Sequence, residues 1–305
     1  MIVTVAGCGA LGSIFASKLM DAGYKVQAFQ RKGATQDALK KGLTIRSGDG
    51  SSEREYQFLE VSDDPAFLKP SDLIIVLVKS FSTPEVHPVK ELMKEKAVVL
   101  TLQNGIGNAE TLSAIFGEKR ICAGVAHYGA IRLAPGVVQE AGGAFIALGP
   151  WVKDHIPMDW VEKILKNSGF QSEYVADPRP WIWKKLAVNS MVNTTAALTG
   201  FNNAGLMNSA LIMQLMESIG KEAVTAAGRA GVKIEFEDLW KVFLENISKT
   251  AANIPSMLQD NRAGRRMEVD TIPGGVLRYA ERDEEFPYTR AMYAILKAID
   301  TERGY

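Results

Sequence analysis

The amino-acid sequence predicts an α/β protein, a doubly wound and mainly parallel sheet followed by an all-α domain. Three observations carry this expectation. Over residues 1–150, short Val/Ile/Leu-rich runs alternate with amphipathic stretches, and continuous apolar strands are those covered by helices on both faces. The first such run passes through a glycine turn, "GCGALG", directly into a helical pattern. After "ADPRPW", residues 176–181, the chain changes to long runs of helical period.

The elements follow in order. "MIVTVAG" reads as the first strand because β-branched residues suit a buried pleat. Residues 10–22 read as a helix, "YKVQAF" as the second strand and 34–41 as the second helix. "DLIIVLV" and "AVVLTL" are further strands, each followed by a helix, at 84–95 and 108–116. "ICAGVAHYGA" and "AFIALG" flank "APGVVQEAGG", whose Gly and Pro signals suggest an antiparallel extension of the sheet. A helix at 158–168 and a short strand at 172–175 complete this part. The two prolines of 176–181 mark a short hinge with a boundary near Asp177, so the domains are 1–177 and 178–305. Helices are expected at 181–199, 205–230, 236–250 and 287–301.

Composition narrows the function. Thirty-five basic and thirty-five acidic residues leave no net field to recruit nucleic acid or an anionic membrane, so neither is an expected partner. The absence of a long apolar span or a signal-peptide pattern points to the cytoplasm. Two cysteines, Cys8 and Cys122, are too few for a disulfide framework, and three scattered histidines give no metal-ligand spacing, so no metal is expected. Oligomeric state is open between monomer and homodimer.

The strand–glycine turn–helix–strand unit at 3–32 is the setting in which G-x-G-x-x-G acquires meaning, and it makes the first domain Rossmann-type. Gly7 permits the tight turn, Gly9 the approach of a pyrophosphate, and Gly12 close helix–strand packing; Cys8, Ala10 and Leu11 complete the loop. Helix N–H groups and the dipole near Ala10 face the phosphates. Where an acid would bind the ribose 2′-hydroxyl of NAD, the chain reads Gln30-Arg31-Lys32, and Arg31 can pair with a 2′-phosphate, which favours NADPH/NADP. Lys79 and Asn104 stand at the carboxyl ends of two more strands, where this fold binds ligands.

In "WKKLAVNSMVN", residues 183–193, Lys185, Asn189 and Asn193 recur every four residues and fall within an arc of roughly 80°. A solvated face is usually written with good helix formers, and Asn is a poor one. From this stretch alone, a wet face and a lined pocket both stand. A second polar cluster, "IPSMLQDNRAGRRMEVDTIPGG", places Ser256, Asp260, Arg262 and Glu268 among apolar residues, and also reads as a charged loop with Ser256 capping a helix start.

Together these residues resemble the ketopantoate reductase (2-dehydropantoate 2-reductase) family over the whole chain: "GCGALG", "VK" at 78–79, "QNGIG" at 103–107, "WKKLAVNSMVN", and "SMLQD" at 256–260 with Glu268 eight residues beyond. The resemblance implies NADPH-dependent reduction of 2-dehydropantoate to (R)-pantoate, toward pantothenate and coenzyme A. It implies that Lys185 donates the proton and that Asn189, Asn193, Asn203 and Ser256 hold the substrate, a small 2-oxo acid. It also implies that Asn104 touches cofactor and substrate, that Glu268 lies near the nicotinamide and the lysine, and that Arg31, Lys79 and Gly129 contact NADP. The chain departs from many relatives at Ile272-Pro273-Gly274, where they have Ile-Asn-Gly, and "TGFNNAG" leaves Asn202 and Asn203 as alternatives.

A lysine ammonium can hydrogen-bond a ketone, deliver its proton and stabilise the developing alkoxide, and Glu268 would orient it and keep it charged. The same machinery serves another 2-oxo acid or a 3-hydroxyacid-type dehydrogenase. A non-catalytic NADP-binding sensor would leave Lys185 and Glu268 without a task.

Overall fold

The structure, a computed structural model, describes residues 1–143 and 145–305. It divides into two compact units: Met1–Gln103 with Asn108–Pro178, and Asn104–Gly107 with Arg179–Tyr305.

The first unit runs β1 (Ile2–Ala6), α1 (Ala10–Asp21), β2 (Lys25–Phe29), α2 (Ala34–Lys41), β3 (Leu43–Arg46), β4 (Glu53–Tyr56), β5 (Val61–Ser62), β6 (Ser71–Val76), β7 (Met93–Thr101), α3 (Asn108–Phe116), β8 (Ile121–Ala134), β9 (Val137–Pro150), α4 (Trp160–Asn167) and β10 (Ser172–Tyr174). Six strands, in the order β5-β2-β1-β6-β7-β8, are parallel throughout. The order reverses between β1 and β6, which opens the crevice at their carboxyl ends where such sheets take ligands. Beyond β8 the sheet continues through antiparallel β9, which pairs with both β3 and β10 along different stretches. The core is the expected one: Val3 and Val5, Leu73 and Ile75, and Val98 and Leu100 are buried with Phe15 and Leu19 of α1. Phe15 stacks on Phe170 at 4.5 Å between ring centroids.

Three local expectations change. Residues 84–95 do not form an α-helix: Ser80–Leu92 is a run of 3₁₀ turns, and β7 already begins at Met93. Pro88 removes a donor and clashes with the Pro84 carbonyl, so the α-ladder expected over 84–95 cannot close, and Pro84 does the same to any helix begun at Ser80. The turn in "APGVVQEAGG" is confined to Pro135 and Gly136, whose φ is 73°, and most of the segment is strand. There β3 gives Val137–Gln139 a partner that local sequence does not announce. The short strands β3, β4 and β5 were not expected; at two to four residues they are too brief to show a period.

The second unit is helical: α5 (Arg179–Thr199), α6 (Asn203–Met207), α7 (Ala210–Arg229), α8 (Phe236–Lys249), α9 (Ser256–Arg262), α10 (Pro273–Leu277) and α11 (Pro287–Glu302). The single helix expected at 205–230 is two, because Asn208 ends α6 and the Ser209 hydroxyl accepts from the Ile212 N–H to start α7. Helix α5 is central. Leu186, Ala187 and Ala197 pack with Ala223 and Ala226 of α7, Met257 of α9 and Leu296 of α11. Met191 and Ala196 pack with Ile219 of α7, Phe243 of α8 and Leu258 of α9. A helix buried on two sides needs close neighbours: a Cβ on Gly220 would lie 2.6 Å from the Met191 sulfur. Among the described residues, no helix is long and apolar enough to cross a membrane.

Candidate active site

The first unit collects one group of the sequence-nominated residues at the carboxyl ends of β1, β2 and β6. Gly7 has a φ of 93°, and a Cβ there would lie 2.6 Å from the Val78 nitrogen, so β1 can turn this close to β6 only with glycine. A Cβ on Gly12 would collide with the Gly7 carbonyl oxygen, whereas nothing lies within 4 Å of the Cβ position of Gly9. The loop is therefore closed beneath and open above Gly9, at the N-terminus of the twelve-residue helix α1, where no side chain caps the free N–H groups. That cradle fits the pyrophosphate of a dinucleotide. Cys8 is buried, and burial pushes its thiol well above the usual range, so it serves as loop packing and not as a nucleophile.

Gln30, read from sequence only as a missing acid, has a task of its own. Its Oε1 accepts from the Cys8 N–H at 2.9 Å, and its carbonyl accepts from the buried Gln36 amide at 2.8 Å, so it braces the glycine loop against the end of β2. Arg31 is exposed and pairs with Glu85 at 3.1 Å, a partner on the 3₁₀ run that sequence spacing did not reveal. Lys79, partly buried, sits at the start of that run. Gln103 ties the ends of β6 and β7 together, donating to the Val78 carbonyl at 2.8 Å and to the Thr83 hydroxyl at 2.9 Å. Gly129 lies at a register shift of the β8–β9 hairpin, where a Cβ would meet the Ala141 carbonyl oxygen at 2.6 Å.

The second unit carries the other group. On α5, Lys184 is exposed, Lys185 and Asn189 are partly buried and Asn193 is 5% exposed, so the stripe is not a wet face. Burial lowers the Lys185 ammonium to about 8, against the opposing pull of the Glu268 carboxylate, which raises it. Glu268 itself is 6% exposed. An acid and a base far apart in sequence thus share one buried environment. Asn104–Gly107 belongs to this unit because Ile106 donates to the Thr271 carbonyl at 3.1 Å and a Cβ on Gly105 would lie 2.5 Å from the same oxygen. Asn104 therefore adjoins the segment that bears Glu268.

Ser256 is the first residue of α9, with Pro255 at the cap position, so its hydroxyl does not cap the helix as the sequence suggested. Helix α9 is fastened to the end of α5: Asn261 donates to the Ala197 carbonyl at 2.6 Å and Arg262 to the Gly200 carbonyl at 2.7 Å. Asp260 is buried and paired with Arg265 at 2.9 Å. Asn202 caps α6 through the Gly205 N–H at 3.0 Å. Asn203 is buried and donates to the Thr250 carbonyl and hydroxyl at 3.0 and 2.9 Å, while its Oδ1 has no donor among the described residues. The structure thus puts Lys185 in the field of Glu268, docks the loop after Asn104 on Thr271, three residues beyond Glu268, and ties Asn203 to the end of α8.

The ketopantoate reductase PanE/ApbA family model matches residues 3–153, and its C-terminal counterpart matches residues 177–300. The chain is 31% identical to the 2-dehydropantoate 2-reductase of Shigella flexneri over 305 residues, covering 99% of this chain and 96% of that one. Among solved structures, the 2-dehydropantoate 2-reductase of Geobacter metallireducens is 25% identical with a TM-score of 0.87, over 98% of this chain and 99% of that one. The ternary structure of D-mandelate dehydrogenase with NADH and anilino(oxo)acetate, 21% identical, shares the fold with a TM-score of 0.92 over the whole of both chains. The chain belongs to the ketopantoate reductase family.

Proposed function

We propose that this chain reduces 2-dehydropantoate to (R)-pantoate with NADPH, in the cytoplasm, as a step toward pantothenate. The observation that carries the reading is a partly buried lysine, Lys185, in the field of a buried carboxylate, Glu268, on a chain of this family. Gly7, Cys8, Gly9, Ala10, Leu11 and Gly12, with Arg31, Lys79, Asn104, Gly129 and Glu268, are the residues we assign to the dinucleotide, which when bound supplies the hydride. Lys185 hydrogen-bonds the ketone oxygen, stabilises the negative charge that grows there and delivers its proton to it. A lysine near 8 suits this task, since it is still charged at neutral pH yet gives up its proton more readily than an exposed one. Glu268 holds the ammonium in place and in its charged form. Asn189 and Asn193, with amides that both donate and accept, and Ser256 and Asn203 orient the carboxylate and hydroxyl of the substrate.

NADPH oxidation measured against a panel of 2-oxo acids tests the reading. The expected result is highest kcat/KM for 2-dehydropantoate; a clear preference for another 2-oxo acid would move the substrate assignment, and no turnover on any of them would remove the reductase reading.

A further inference from the structure

Glu268 stands on a segment without regular secondary structure, between α9 and α10, and yet Met267, Glu268 and Val269 are all buried. Buried backbone outside a helix or strand must find partners elsewhere, and here they come from specific places. The Met267 N–H is met by the Asp300 carboxylate, at 3.3 and 3.1 Å to its two oxygens. The Glu268 and Val269 carbonyls accept from Ile272 at 3.1 Å and Gly274 at 2.9 Å, at the start of α10. On the other flank, the Asp270 carboxylate accepts from the Tyr293 hydroxyl at 3.1 Å and the Lys297 ammonium at 2.9 Å, with Arg266 at 3.7 Å.

Tyr293, Lys297 and Asp300 lie at i, i+4 and i+7, one face of α11. One helix therefore grips the chain immediately before Glu268 and two residues after it. Asp300 is the costly part of the grip. It is 2% exposed, and burial raises its carboxyl above the usual range. Its carboxylate accepts from the Met267 N–H and lies in the field of Lys297, Arg266 and Arg303, so a buried acid fixes the residue directly before Glu268.

We propose that α11, through Asp300 on one flank and Tyr293 with Lys297 on the other, is the positioning element that sets Glu268 against Lys185. These are positioning residues and touch no reacting atom. The inference rests on the reading of Lys185 and Glu268 given above. If the grip loosens, Glu268 drifts, its field at Lys185 weakens, and the ammonium loses an influence that opposes its burial.

Three variants of the enzyme and one conservative rescue, all checked for folding by circular dichroism, test this. Asp300→Ala removes one flank, Tyr293→Phe with Lys297→Met removes the other, and Glu268→Gln is the reference. The expected result is a kcat reduced about 10- to 100-fold in the first two, the scale of a misplaced group, with the KM for the 2-oxo acid close to wild type. The alkaline limb of the kcat profile should move to lower pH, and Asp300→Asn, which keeps an accepting oxygen, should recover most of the loss. The Tyr293→Phe/Lys297→Met pair, at half-buried positions, decides the matter if Asp300→Ala does not fold. Wild-type kcat and pH profile in the folded flank variants, with both altered in Glu268→Gln, would overturn the positioning role alone. A Glu268→Gln enzyme identical to wild type would overturn the reading of Glu268, and the positioning with it.

Discussion

Replacing Lys185 by methionine should slow turnover sharply and change how stability depends on pH, and the second effect can be worked from the structure. The ammonium sits at about 8 where an exposed lysine has 10.5. At ~1.36 kcal/mol per pH unit, that gap is worth roughly 3 kcal/mol. Because the folded-state value is the lower one, the unfolded chain holds the extra proton between about pH 8 and 10.5, and raising the pH through this window favours the folded protein. Below pH 8 both states are protonated and the burial penalty is present in full; above 10.5 both are neutral and it is gone. Urea unfolding of wild type and Lys185→Met at steps from pH 7 to 10 should show wild type gaining about 2–3 kcal/mol relative to the variant. The carboxylate of Glu268, left without its cation, adds a constant offset but not this slope. In the same variants kcat should fall by about two to four orders of magnitude, the usual range for losing a proton donor, and wild-type kcat should decline above about pH 8. Lys184→Ala is the control, since Lys184 is exposed beside it on α5. Parallel stability curves for wild type and Lys185→Met would show that Lys185 is not held in a buried, charge-disfavouring site, and the argument for it as the acid would go with them.

Arg31→Asp should weaken NADPH binding by about 1.5–3 kcal/mol, the scale of charge-assisted hydrogen bonds, and leave NADH little changed in fluorescence titrations; equal affinity of the wild type for both cofactors would remove the role of Arg31. Glu85→Gln frees the Arg31 guanidinium from its 3.1 Å partner and should tighten NADPH, more so at low salt. Asn189→Ala and Ser256→Ala should raise the KM for 2-dehydropantoate with NADPH affinity unchanged, whereas loss of cofactor binding or of fold would make these residues structural.

Much of the fold was legible because its signals are local. The runs "MIVTVAG", "DLIIVLV" and "AVVLTL" appear as buried parallel strands, since a strand covered on both faces has no room for alternation. Gly7 and Gly12 could be read because steric exclusion of a Cβ at a tight turn leaves one residue type. The helical phase of Lys185, Asn189 and Asn193 was set by the 3.6-residue repeat alone.

What only the tertiary structure decided depends on partners distant in sequence. Whether the stripe on α5 is wet or buried is settled by what packs around it, α7, α9 and α11, and no local pattern states that. The α-helix expected at 84–95 fails on Pro88, whose cost outweighs the apolar period, and β3 exists because β9 offers it a pairing edge. Asn104, the end of a strand by sequence, joins the helical unit because Ile106 and Gly105 dock on Thr271. Sequence by itself could nominate Lys185 and Glu268 as residue types fit for the chemistry. That burial lowers one while the charge of the other holds it up is a property of a shared low-dielectric environment, which exists only once the chain has folded.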